Sequence, residues 1–212
     1  MRLPPLYAIV DPLDTGRDPV PLAAALLAGG ARLLQLRWKA ATPRALLAAA
    51  TAIRALTRDA GALFLVNDRP DIARAAGADG VHLGQEDLPV AAARRVLGEG
   101  HLVGVSTHDP EQARAAASAG ADYVAVGPVY ATTTKADALA PRGLALVTAV
   151  RAAVGCPLVA IGGITPRTAA AVRAAGADAV AMIGALVNVP DPAAAVREAL
   201  ARLSAAQPGD ST

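Results

Sequence analysis

Gln35, Arg37 and Lys39 fall within the short stretch QLRWK, where a strand's period of two puts all three on one side and Leu36 and Trp38 on the other. An amide and two cations aimed the same way form a clamp for an anion such as a phosphate, and such a cluster on an inward face is costly without a partner. A polar strand end solvated by water is the alternative. A second stretch, YVAVGPVYATTTK from Tyr123 to Lys135, is an apolar run of β-formers that breaks at Gly127-Pro128 and then presents Thr132, Thr133, Thr134 and Lys135 in succession. Hydroxyl donors beside a compact ammonium also suit a phosphate.

Asp68 and Asp87 supply hard carboxylate oxygens, which Mg²⁺ prefers when water and a substrate phosphate complete its shell. An ion pair with arginine, or helix capping by Asp87 ahead of LPVAAA, would use the same residues differently. Gly162-Gly163 and Ile183-Gly184 leave backbone N–H groups open to an oxyanion, although tight turns alone would also call for these glycines. His82, inside the apolar run VHLG, reads as a satisfied interior histidine, and His108 falls in the loop STHDPE. No nucleophile–base pair or histidine metal cluster stands out, so the chemistry expected is electrostatic stabilisation and positioning.

These residues need a frame that brings them to one face. One phrase recurs, as AGGARLLQLR, AAGADGVHLG, SAGADYVAVG and AAGADAVAMI: an Ala-rich helix ends at a glycine, and an apolar strand follows at once. With their neighbours these joints predict eight strands, at Leu6–Val10, Leu33–Arg37, Leu63–Asn67, Gly80–Gly84, Leu102–Ser106, Tyr123–Val126, Leu158–Ile161 and Ala179–Ile183. Helical segments lie between them, several opening with Thr or Asp followed by Pro. Eight strands alternating with eight helices, at about 25 residues per unit, predict an α/β fold, a single (β/α)8 TIM barrel over residues 1–206 with a frayed tail at 207–212. A doubly wound open sheet is the competing architecture, but G-x-G-x-x-G is absent after the first strand. In a barrel the segments after each strand share one face, and the polar residues above, with Asn67 and Ser106, all fall there. The opposite ends carry mainly Gly, Ala and Asp, read as caps.

The totals agree with a globular enzyme-sized domain: 212 residues, 54% apolar, 18% charged and a formal charge of +2. Aromatic residues at 2% and scattered arginines give no platform for nucleic acid. Cys156 is the sole cysteine, which excludes an internal disulfide, and it reads as a small buried hydrophobe. No leader pattern or membrane-length apolar run is present, so a cytoplasmic protein without membrane contact is expected.

The stretches QLRWK, FLVNDRPDIARAAGADGVHLGQEDL, GVSTHDPEQA, GADYVAVGPVYATTTK, VAIGGI and GADAVAMIGAL resemble, in order, the motifs of the thiamine phosphate synthase family across nearly the whole chain. The resemblance implies a (β/α)8 barrel that joins hydroxymethylpyrimidine diphosphate to hydroxyethylthiazole phosphate, or its carboxylated form, giving thiamine monophosphate and pyrophosphate. It implies that Gln35, Arg37, Lys39, Asn67, Ser106 and Lys135 hold the pyrimidine diphosphate, with Arg37, Lys39, Ser106 and Lys135 acting in catalysis. Asp68 and Asp87 would bind one Mg²⁺ per subunit. Thr132, Thr133 and Thr134, with Gly163, Ile183 and Gly184, would hold the thiazole phosphate. The family's reaction is dissociative, pyrophosphate leaving before the thiazole nitrogen attacks. Departures are Trp38 for a common acidic residue, expected to face away from the site, Ala131 for a frequent proline, and Gly184 for a common serine. A thiazole tautomerase and a catalytically silent thiazole-phosphate-binding protein are the rival readings; the retained Asp68, Asp87 and Lys135 would be useless to either. Small-molecule substrates are the partners expected, and a homo-oligomer is compatible with the sequence.

Overall fold

The computed structural model describes residues 2–12, 16–132 and 140–205. Thr133, Thr134 and Lys135, and the predicted tail, lie outside the described residues. Eight parallel strands close on themselves in sequence order: β1 (Leu6–Val10), β2 (Leu33–Leu36), β3 (Leu63–Asn67), β4 (Gly80–Leu83), β5 (Leu102–Thr107), β6 (Tyr123–Val126), β7 (Leu158–Ala160) and β8 (Ala179–Met182). The ring closes where Leu6 and Tyr7 of β1 pair with Val180 and Ala181 of β8. The predicted (β/α)8 barrel is therefore the observed one, and strand limits differ from expectation by a residue at most.

Around it lie α1 (Pro19–Ala28), α2 (Pro43–Asp59), α3 (Pro70–Ala76), α4 (Val90–Leu97), α5 (Pro110–Ser118), α6 (Gly143–Ala153), α7 (Pro166–Ala174), α8 (Gly184–Val187) and α9 (Pro192–Ala205). One helix more than expected appears among the described residues, because the loop after β8 winds into the single turn of α8. The Asp-Pro and Thr-Pro starts work as anticipated. The side chains of Asp18, Thr42 and Asp109 accept from the backbone N–H of Val20, Ala45 and Gln112 at 2.9, 3.3 and 2.8 Å. Proline at the next position has no N–H to leave unsatisfied. No helix among the described residues is long and apolar enough to cross a membrane.

The recurring phrase earns its regularity twice. Gly30, Gly77, Gly120 and Gly176 all take positive φ, between 66° and 111°, a backbone conformation costly for residues with a Cβ. Two residues later, Asp79, Asp122 and Asp178 do not cap helices, contrary to expectation. Each uses one oxygen, Oδ2, to accept the backbone N–H of the preceding strand (Phe64, Val103 and Leu158, at 2.7–2.8 Å) and an arginine from the helix that leads into that strand (Arg54, Arg94 and Arg151, at 2.8–2.9 Å). Three such clasps tie strands to helices at the end of the barrel away from the polar loops. The first copy of the phrase has Arg32 in the equivalent place.

The core fills the barrel and the layer between strands and helices, almost entirely with Ala, Val, Leu and Ile. The exceptions are Phe64, Met182 and two fully buried tyrosines, Tyr7 and Tyr123, the tyrosines lying inside the barrel. His82, Gly104 and Tyr123 are lateral neighbours on β4, β5 and β6. A Cβ on Gly104 would fall inside the Tyr123 ring, so the missing side chain is the space through which that ring reaches His82. The two rings stack with centroids 5.6 Å apart.

Candidate active site

Alternation along the strands delivers the site. Tyr7 and Ile9 of β1, Gln35 and Arg37 at β2, and the matching positions of the other strands point inward and line one cavity of about 410 Å³ at the C-terminal mouth. Gln35, Arg37, Lys39, Asn67, Asp68, Asp87, Ser106 and Ile183 all line it. The expected one-sidedness of QLRWK holds. Trp38 turns away into a separate groove with Pro12, Pro19 and Ala49.

The charges inside are paired in a definite pattern. The guanidinium of Arg37 donates to the carboxylate of Asp11, a residue just past β1 that is wholly buried. A buried carboxylate holding one side of a guanidinium fixes the direction of the other. Across the mouth, Lys39 Nζ lies 3.3 Å from Asp68 Oδ2. Burial, chiefly, pushes the Asp68 carboxyl above the usual carboxylate range; hydrogen bonding and repulsion from Asp87 push it further, and Lys39 works against both. Asp68 also has φ of 63°, unusual for a residue other than glycine and tolerated best by Asp and Asn. Asp87 accepts the N–H of Gly84 at 2.6 Å, so the alternative of capping α4 is not taken up; Pro89 occupies that cap. Among the described residues no cluster of three or more His, Cys, Asp or Glu side chains could hold a metal. Two convergent carboxylates, with phosphate and water to complete the shell, nevertheless fit Mg²⁺.

Residues predicted for the thiazole phosphate are placed less directly. Ile183 lines the cavity and Gly184 follows it as the first residue of α8, its carbonyl accepting from Asn188 at 3.0 Å. Thr132, Gly163 and Gly184 are not among the residues lining the cavity. Gly162 and Gly163, with φ of 105° and 60°, lie directly beneath the loop after β6, where a Cβ would strike Pro128 or the carbonyl of Ala131. Val129 and Tyr130 donate to the carbonyls of Ile161 and Gly162, both at 2.9 Å. The glycine pair thus lets the chain leading to Thr132 lie flat across the barrel rim.

Three polar positions at the site, Asp11, Tyr7 and Tyr123, were not assigned from sequence. Asp11 carried no motif. Tyr7 and Tyr123 sit at inward positions that alternation alone could have flagged. His82 is the satisfied interior histidine expected. It bridges Tyr123 Oη, 2.8 Å from Nδ1, and Ser106 Oγ, 2.8 Å from Nε2. Gln35 Nε2 donates to Tyr7 Oη at 2.6 Å, and the two tyrosine hydroxyls lie 3.0 Å apart. Burial pushes the Tyr7 hydroxyl up to about 12 and that of Tyr123 well above its usual value. His108 also lines the cavity and donates from Nδ1 to the carbonyl of Gly127 at 2.8 Å. Cys156, two residues before β7, is half-buried where the sequence suggested a buried residue, and burial raises its thiol.

A family model described as thiamine monophosphate synthase matches residues 6–186. A thiamine-phosphate synthase of Methanoculleus marisnigri is 53% identical over 203 residues, covering 95% of this chain and 96% of that protein. One of Moorella thermoacetica is 51% identical over 193 residues, covering 91% and 92%. Among solved structures, a thiamine phosphate pyrophosphorylase from Pyrococcus furiosus superposes with a TM-score of 0.87 at 34% identity, covering 95% of this chain and 96% of that one.

Proposed function

The chain belongs to the thiamine monophosphate synthase family and is a transferase, and from that premise we propose that it joins hydroxymethylpyrimidine diphosphate to hydroxyethylthiazole phosphate, or its carboxylated form, releasing pyrophosphate. The observation that carries this reading is the convergence of Arg37, Lys39, Asp68, Asp87 and Ser106 on one cavity at the barrel mouth. Asp68 and Asp87 would hold one Mg²⁺, whose charge, when bound, offsets that of the diphosphate. Two crowded carboxylates, one of them raised by burial, are the setting that a divalent cation relieves.

Arg37, aimed by Asp11, binds the diphosphate oxygens together with Lys39 and Ser106, while Gln35 and Asn67 orient the pyrimidine end. Lys135 joins them by resemblance. Thr132, Thr133, Thr134, Gly163, Ile183 and Gly184 take the thiazole phosphate, with backbone N–H groups in place of a serine hydroxyl at Gly184. The methylene C–O bond breaks first and its electron pair leaves with pyrophosphate. The aminopyrimidine spreads the positive charge, and the thiazole nitrogen lone pair then forms the new C–N bond. With the decarboxylated thiazole no proton must be moved for this exchange, so binding and charge stabilisation suffice; the carboxylated form would also lose CO2 and take up one proton from water. Incubation with both substrates and Mg²⁺ should yield thiamine monophosphate by mass and stoichiometric pyrophosphate; absence of both products would overturn the proposal.

A further inference from the structure

Five polar side chains cross the barrel along the floor of the cavity in a continuous line, and the substrate sites use only its two ends, Gln35 and Ser106. Gln35 Nε2 meets Tyr7 Oη at 2.6 Å, Tyr7 Oη meets Tyr123 Oη at 3.0 Å, Tyr123 Oη meets His82 Nδ1 at 2.8 Å, and His82 Nε2 meets Ser106 Oγ at 2.8 Å. Tyr7, Tyr123, Gln35 and His82 are buried, and only Ser106 at the far end is half-exposed to the cavity. The Ser106 carbonyl is held in turn by Gln85 Nε2 at 2.6 Å.

We propose that this line is a one-directional hydrogen-bond chain that holds His82 as the Nε2–H tautomer and turns the Ser106 hydroxyl proton outward, as a donor to the substrate diphosphate. His82 is then a positioning residue acting through Ser106. The direction follows from counting protons. An amide nitrogen can only donate, so Tyr7 accepts from Gln35; either tyrosine can donate to the other, and giving the Tyr7 proton to Tyr123 is the arrangement in which each buried hydroxyl proton has an acceptor in the line. Tyr123, having accepted, gives its own proton to His82 Nδ1. An imidazole nitrogen that accepts leaves the proton on the other nitrogen, so Nε2–H donates to Ser106 Oγ. Ser106 keeps its own proton for the cavity, where an anionic oxygen is the partner it suits. Burial holds both phenols protonated far above neutral pH, so each supplies one proton throughout the working range. The missing side chain at Gly104 keeps the Tyr123–His82 link open.

The proposal rests on the reading that Ser106 faces the diphosphate, and its test separates the two. The chain has three histidines, and ¹⁵N-labelled imidazole spectra of the substrate-free protein report the tautomer of each without reference to any reaction. His82 should be Nε2–H in the wild type. Gln35→Glu, four hydrogen bonds away from Ser106, offers only an acceptor to Tyr7 and should reverse the chain, moving the His82 proton to Nδ1. Tyr123→Phe should lower kcat about 5- to 10-fold, the size expected for one lost hydrogen bond, and should have no further effect in a Ser106→Ala background. A wild-type His82 that is Nδ1–H or doubly protonated at neutral pH overturns the inference. So does unchanged turnover in Tyr123→Phe, or an equal loss without Ser106. Failure of the wild type to form thiamine monophosphate would instead strike the functional reading, leaving the tautomer result standing.

Discussion

The ammonium of Lys39 lies 3.3 Å from the carboxylate of Asp68, so the residue expected to bind the diphosphate also balances a carboxylate expected to bind the metal. The lysine is more than half exposed and can be redirected at little cost, whereas Asp68 is set by its left-handed backbone and its buried surroundings. A divalent cation at Asp68 and Asp87 would release Lys39 toward the phosphates.

Replacing Asp68 by Asn should therefore reduce pyrophosphate release about 100-fold or more. The metal-free protein should melt no lower than the wild type, because the change removes a carboxylate that burial and Asp87 both disfavour. Thermal melts with and without Mg²⁺ check this: a Mg²⁺-induced rise in Tm should be present in the wild type and absent in the variant.

The pH dependence has a definite sign. An acid whose folded-state pKa is raised binds its proton more tightly folded than unfolded; its favourable contribution is present in acid and lost as pH rises through the folded value. Asp68 is such an acid, for reasons led by burial. The gain in Tm on adding Mg²⁺ should accordingly grow as pH rises through that value, where the metal no longer competes with the proton. Melts in a series of buffers running upward from the ordinary carboxylate range would show it; a Mg²⁺ effect independent of pH would remove Asp68 from the metal site.

Asp11→Asn should leave Arg37 without its buried counter-charge while preserving shape. Because the guanidinium is then free to rotate, the KM for the pyrimidine diphosphate should rise and kcat/KM fall about 10- to 100-fold. The KM for the thiazole phosphate should move little. Steady-state kinetics with each substrate varied in turn distinguishes this from a general loss of folding.

Gly104→Ala should destabilise the fold by about 1–3 kcal/mol, since the new methyl group would overlap the Tyr123 ring and force a core side chain off its place. Denaturant melts followed by tyrosine near-ultraviolet dichroism would report both the loss and the moved ring.

At the other end of the barrel, Asp122→Ala removes the shared acceptor of Val103 N–H and Arg94. A loss of about 1–3 kcal/mol in denaturant melts is expected from the unsatisfied groups, with kcat unchanged, because the clasp touches no residue of the cavity. A matching fall in kcat would show that the clasps reach the site after all.

How much of this could be read in advance depends on the range of the interaction. The strands and the face of each side chain follow from local rules. Alternation set Gln35, Arg37 and Lys39 on one side, and the recurring Ala-Gly-Ala-Asp phrase marked the joints at Gly77, Gly120 and Gly176, because a period of two and a left-handed glycine depend only on near neighbours. The collection of Asp68, Asp87 and Ser106 at one mouth then follows from strand order in a barrel. Which inward side chain meets which does not. Asp11 holds Arg37 from 26 residues away, and Tyr7 touches Tyr123 across 116. The first exists because β1 pairs with β2, and the second because β1 also pairs with β8 to close the ring and Gly104 leaves a gap for the Tyr123 ring. Sequence alone settled the direction of each polar group. Strand pairing and closure of the barrel settled its partner, since only they bring neighbouring and opposite strands within hydrogen-bonding distance of one another.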